Sequence, residues 1–182
     1  MDAYERPIQG GEGYYCDTAS EALTMAKRFL TPESTISWGG SQTLVEIGLL
    51  EDLRSSDYIL YDRDTAITSE EKSLMYSKTV TSDFFFCSTN AITLDGELVN
   101  IDGFGNRVAC LITGPKNVIV IAGMNKVATD IESAIARVRN FAAPPNSLRL
   151  GLKTPCASLG KCVNCLSDEC ICCQIVVTRK SR

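Results

Sequence analysis

Apolar and polar positions along the chain follow two alternating rhythms, one with a period near 3.6 and one near 2. Residues 20–30, SEALTMAKRFL, place Ala22, Leu23, Ala26, Phe29 and Leu30 on one helical face behind Ser20 as N-cap. A short strand is predicted at about 34–38, then GGSQ, then a second helix over SQTLVEIGLLEDLR that stops at Ser55-Ser56. DYILYD reads as a strand, and SEEKSLMYSKTVTS as a helix with Ser69 and an acidic first turn at its start. DFFFCST and NVIVIAG are unbroken apolar runs, the pattern of strands buried on both faces. AITLDGELVNID alternates about Asp95-Gly96, a hairpin signal. GNRVACLIT reads as a short helix. TDIESAIARVRNFA is an amphipathic helix with Ile131, Ala134, Ile135 and Val138 on one side, capped by Thr129 and ended by APPNS. QIVVTRK is a final strand.

Strands and helices therefore alternate through most of the chain. This predicts an α/β fold with an open, mostly parallel sheet and flanking helices, formed by residues 1–182 as one domain with a Cys-rich segment at 155–173. The hairpin is the one departure from that alternation. There are no internal repeats.

Composition narrows the functions. The chain has 182 residues, 45% hydrophobic and 22% charged, with a formal net charge of -4. It lacks the basic surplus that releases counterions from a phosphate backbone, so no nucleic-acid partner is expected. No apolar run reaches the length of a membrane span. The polar, acidic start MDAYERPIQGGEGYY lacks a signal-peptide core, which places the expected location in the cytoplasm. There cysteines stay reduced, and nine of them, an odd number, argue against a disulfide framework. The chain has no histidine. That removes histidine-based nucleophile schemes and His-containing zinc sites.

Four stretches carry candidate chemistry. SWGGSQT (37–43) lies between a strand and a helix. Its glycines and the helix start suit an anion, and Ser41 and Thr43 add hydroxyls; a plain β–α turn with Ser41 as N-cap explains the same residues. NIDGFGNRVA packs Asn100, Asp102, Asn106 and Arg107 about two glycines, either as a site or as a turn whose side chains bond their own backbone. Lys116 precedes the strand NVIVIAG, and Asn125-Lys126 follow it; Lys126 also reads as half of a solvated pair with Asp130. The last stretch, CASLGKCVNCLSDECICC (156–173), holds six cysteines. Its C-x2-C pair, Cys162 and Cys165, has the spacing of a metal knuckle. With Cys156 and Cys172 it makes the preferred set of four thiolates, suited either to zinc or to an iron–sulfur cluster (4Fe–4S). Redox-active thiols and simple packing are the competing readings. Cys16, Cys87 and Cys110 read as core thiols.

WGGSQTLVEIGLLEDLR, STNAITLDGELVNIDGFGNRVA, GPKNVIVIAGMNKVATDIESAIARVRNFAAPPNSLRL and TPCASLGKCVNC together resemble the small stand-alone LUD-domain (lactate utilisation) proteins, from about residue 14 to the end of the chain. The resemblance implies a fold similar to the sugar-phosphate isomerase and CoA-transferase group. It implies a ligand site at strand-end glycine loops, mapped here to Gly39, Gly40, Ser41, Thr43, Asn90, Asn100, Asp102, Gly103, Gly105, Asn106, Arg107, Gly114, Pro115, Lys116, Asn125 and Lys126. It places the family's cysteine pattern on Cys156, Cys162, Cys165 and Cys172, while Cys170 and Cys173 stand where Arg and Asn are usual. It also implies a part in lactate or other hydroxy-acid oxidation, an anionic small-molecule ligand and iron–sulfur partner proteins. Relatives commonly carry a further N-terminal helix and C-terminal strand not evident here, which would leave a sheet edge for a second copy in a homodimer. The alternative is an iron–sulfur or zinc electron-transfer or sensor module acting through the C-terminal cysteines.

Overall fold

The computed structural model describes residues 11–180. The start of the chain read for a targeting signal lies outside them as far as residue 10. The described residues divide into two units. Unit one comprises residues 13–88 and 109–122; unit two comprises 11–12, 89–108 and 123–180.

Unit one opens with α1 (Ala19–Lys27), capped by Thr18 rather than Ser20: the Thr18 hydroxyl accepts from Glu21 N–H. Next come β1 (Thr35–Trp38), α2 (Gln42–Glu46) and α3 (Leu49–Arg54). The single helix expected over 41–54 is split, because Gly48 takes φ +76° and starts α3 afresh. Then follow β2 (Ile59–Tyr61), α4 (Ser69–Thr79) and β3 (Phe84–Cys87). The cap of α4 is Thr68, which forms a capping box with Glu71.

Residues beyond β3 belong to unit two: β4 (Ala91–Thr93) and β5 (Leu98–Asp102). The chain returns to unit one within α5 (Asn106–Ile112) and adds β6 (Asn117–Val120). The resulting sheet has the order β2-β1-β3-β6, with every pair parallel. Helices cover both faces of its centre. Phe84 and Phe86 pack with Leu44, Leu49 and Leu53, whereas Phe85 and Cys87 point the other way to Cys110, Leu111 and Val120. Cys87 and Cys110 are thus the core thiols expected, while Cys16 is half-exposed. β6, expected to be buried on both faces, is an edge strand and partly exposed.

Unit two continues with β7 (Val127–Ala128) and α6 (Ile131–Arg137). Asp130, not Thr129, caps α6, and Ser133 completes a reciprocal box. APPNS does not end the helical run. A π-helical turn over Val138–Ala142 leads into α7 (Ala143–Arg149), with prolines in its first turn, where the missing N–H leaves no bond unmade. α8 (Pro155–Leu159) and β8 (Gln174–Thr178) close the unit. Its sheet has the order β7-β4-β5-β8: the expected hairpin β4–β5 is antiparallel, β8 pairs antiparallel with all of β5, and β7 is parallel to β4. Ala91, Val99 and Ile101 pack against Ala134 and Val138 of the helical segment. Among the described residues no helix is long and apolar enough to cross a membrane.

Candidate functional site

In unit one the glycine loop is built as a turn. Gly39 N–H donates to Phe86 O at 2.9 Å, extending the ladder one residue past β1. The Ser41 hydroxyl caps α2 by accepting from Leu44 N–H at 3.4 Å. A side chain on Gly40 would meet the Arg63 guanidinium at 3.6 Å, and Thr43 lies in the first turn of α2, a helix of five residues.

Lys116 stands elsewhere. Its Nζ donates to Asp83 Oδ1 at 2.7 Å, while Thr35 N–H and Oγ1 donate to Asp83 Oδ2 at 2.9 and 2.7 Å. Hydrogen bonding from Lys116, then from Thr35, holds the Asp83 carboxyl well below the usual carboxylate range, and Asp83 raises Lys116 in turn. Thr35 begins β1, Asp83 precedes β3 and Lys116 precedes β6, so this cluster lies at the amino end of the parallel strands. The Gly39–Thr43 loop lies at the carboxyl end, about 13 Å away at roughly 3.3 Å per residue. The expected grouping of Lys116 with the glycine loop does not form.

Unit two gathers most of the remaining candidates. Asn90 and Asn100 face each other across the hairpin, and Arg107 forks into both: Nη1 donates to Asn100 Oδ1, and Nη2 donates to Asn90 Oδ1 and Ile101 O, each at 2.8 Å. Asn100 is fully buried, and its Oδ1 also accepts from Thr89 Oγ1 and Asn90 N–H. Asp102 accepts from Gly105 N–H at 2.9 Å and Val108 N–H at 3.3 Å, with Arg107 Nε at 3.8 Å. Asn106 is exposed at the start of α5. The NIDGFGNR stretch is therefore a self-bonded turn whose arginine is committed to holding the hairpin.

The loop carrying Asn125 and Lys126 is joined to this network by Arg137, which the sequence reading missed. Arg137 Nε donates to Asn125 O at 3.0 Å, and Nη1 donates to Asn90 O. Among the described residues Arg137 makes no ion pair with a carboxylate, and partial burial lowers its pKa. On α6 its spacing resembles that of any solvated helical arginine, so the sequence gives no signal for it.

The cysteine segment encloses a cavity of about 30 Å³, lined by Cys156, Cys162, Cys165, Cys170 and Cys172 together with Arg139 and Asn164. Cys173 is exposed and absent from that lining. Hydrogen bonding from the Ser167 main chain and hydroxyl lowers the Cys165 pKa. Burial, with neighbouring cysteines, pushes Cys172 up to about 12. Thiols and no histidine suit a thiophilic metal. Among the described residues no three metal-ligating side chains stand together at binding distance.

Unit one, a parallel sheet with helices on both faces, and unit two, a hairpin-seeded sheet with a cysteine-lined cavity, define an α/β protein with a thiol-rich C-terminal segment. The chain belongs to the LUD-domain family, whose model matches residues 8–182. No curated protein matches it in sequence. Among solved structures it is similar to a D-ribose-5-phosphate isomerase in complex with phospho-erythronic acid, at 14% identity and a TM-score of 0.40 over 62% of this chain and 54% of that one. It is also similar to the tetrameric eIF2B-beta2-delta2 complex from C. thermophilum, at 17% identity and a TM-score of 0.42 over 63% of this chain and 43% of that one. The chain thus spans about half the length, or less, of each.

Proposed function

We propose that this LUD-domain protein serves lactate or related hydroxy-acid utilisation by binding a small anion on unit two, beside Asn90, Asn125 and Lys126. One observation carries the reading. Arg137 is held by two main-chain carbonyls, and no carboxylate among the described residues neutralises it. Carbonyl acceptors orient a guanidinium without cancelling its charge, and the donors left over suit the paired oxygens of a carboxylate or phosphate. Arg107 is spent on the hairpin and Lys116 on Asp83, so Arg137 takes the role expected of them. In this reading the protein works beside iron–sulfur partner proteins.

Calorimetric titration of the protein with lactate, pyruvate and a sugar phosphate tests the reading. At least one should bind, Arg137→Gln should weaken it about 10-fold or more, and Lys116→Gln should leave it unchanged. Absence of binding by all three, or equal loss in both variants, overturns it. Co-purification of iron–sulfur proteins from lactate-grown cells tests the partner.

A further inference from the structure

We infer that Cys156, Cys162, Cys165 and Cys170 form a four-thiolate site for a single thiophilic cation of the zinc class, with Cys172 serving as a core thiol beside it. This departs from the resemblance, which selects Cys172 as the fourth member.

The local backbone makes the case. Between Cys162 and Cys165 the chain turns at Asn164, which takes φ +52°, a left-handed conformation that asparagine tolerates better than most side chains. That turn aims the Asn164 N–H at Cys162 Sγ, 3.3 Å away, and Arg139 Nη2 holds the Asn164 side chain at 2.9 Å. The same device recurs at the disputed position: Cys172 N–H donates to Cys170 Sγ at 3.3 Å. Amide hydrogens pointed at sulfur are outer bonds of the kind that orient metal ligands. Cys172 itself packs on the apolar cluster of Ala91, Val99, Ile101, Ala134 and Val138, as a small hydrophobe does. Cys156 is buried in the first turn of α8, fixed by Thr154 and Ser147.

Size and charge decide the occupant. A cavity of about 30 Å³ has room for one or two water-sized atoms, which favours a single ion over an eight-atom cluster. A doubly charged cation on four thiolates leaves a net negative centre, which Arg139 on the cavity wall offsets. Residues 160–173 contain no helix or strand, so the sulfurs can close on an ion without breaking a regular element. Binding replaces four S–H bonds by four metal–sulfur bonds and releases four protons to solvent.

The test loads the reduced, metal-free full chain with Co²⁺ alone under anaerobic conditions. The expected result is one Co²⁺ per chain, with sulfur-to-cobalt charge transfer and tetrahedral d–d bands that one equivalent of Zn²⁺ bleaches. Cys170→Ser should weaken Zn²⁺ binding by about 100-fold or more, since loss of a mere outer-shell partner already costs 10- to 100-fold. Cys172→Ser and Cys173→Ser should bind as the wild type does. Circular dichroism of the metal-free variants establishes that each is folded. Mass-mapped alkylation of the wild type gives the assignment without any variant: Zn²⁺ should newly protect Cys170 and leave the reactivity of Cys172 unchanged. Loss in Cys172→Ser with retention in Cys170→Ser overturns the ligand set. Failure of the wild type to bind either ion, or assembly of a four-iron cluster from iron and sulfide, overturns the single-ion site.

Discussion

Thr35 and Asp83 clasp each other across the amino ends of β1 and β3. The Thr35 N–H and hydroxyl both donate to the Asp83 carboxylate, and the Asp83 N–H donates back to Thr35 Oγ1 at 2.9 Å. Lys116 closes the group through Asp83 Oδ1, bringing in the start of β6. The ends of three parallel strands are thus gathered on one side chain.

This cluster predicts an acid-sensitive sheet. The folded pKa of Asp83 lies below its unfolded value of about 3.9, so its contribution is complete above that pH and disappears as pH falls through the folded value. Lys116 runs the opposite way. Its contribution is complete below about 10.4 and is lost as pH rises through its raised folded value. Urea unfolding of wild type and Asp83→Asn between neutral and strongly acid pH should show a stability gap that narrows towards acid. A gap independent of pH refutes the assignment. Both groups are accessible to solvent, so added salt should shrink the Lys116 part.

The central strand should be the most sensitive to truncation. Phe86 is wholly buried among leucines from α2 and α3. Phe86→Ala should cost about 3–5 kcal/mol in denaturant unfolding. Val118 on the edge strand is 36% exposed, and Val118→Thr should stay within about 0.5 kcal/mol.

Two glycines separate strain from collision. Gly48 takes φ +76° with open space around it, so Gly48→Ala should cost about 1 kcal/mol from backbone strain alone. Gly114 takes φ +129°, and a Cβ there would lie 3.1 Å from Val80 O. Gly114→Ala should therefore be the more damaging, which thermal melts of the two variants can compare.

Asn100 and Asn106 separate structure from surface within one motif. Asn100→Ala strips an acceptor from the buried Thr89 hydroxyl and from the part-buried Arg107 and Asn90 donors, and should cost about 2–3 kcal/mol. Asn106→Ala changes an exposed side chain and should move stability by less than about 0.5 kcal/mol. Equal effects would show that the turn does not depend on the Arg107 fork.

Much of the fold was legible because it is written in local periodicity. The run Phe84–Cys87 became the buried central strand, and Asp95-Gly96 became the hairpin, with Gly96 at φ +84°. Reading failed where tertiary context overrides local pattern. The apolar run at β6 lies at an edge, which depends on strand order rather than on its own composition. The Pro144-Pro145 pair reads as a terminator, yet a π-helical turn places both prolines at a helix start. The site was less legible still. Lys116 and Gly39 are separated by the direction of the strands, and Arg137 is distinguished from other helical arginines only by the carbonyls it meets.

The turn at Gly103 has a mechanical consequence. A Cβ at that position would stand 3.4 Å from the Ile171 backbone, so the Asp102 turn and the cysteine segment touch with no side chain between them. Ile171 is flanked by Cys170 and Cys172, and all three line the cavity. A displacement of Ile171 would therefore press first on the turn whose next helix carries Arg107. If the thiols do close on an ion, Gly103 is where the Asp102 turn meets the segment that moves.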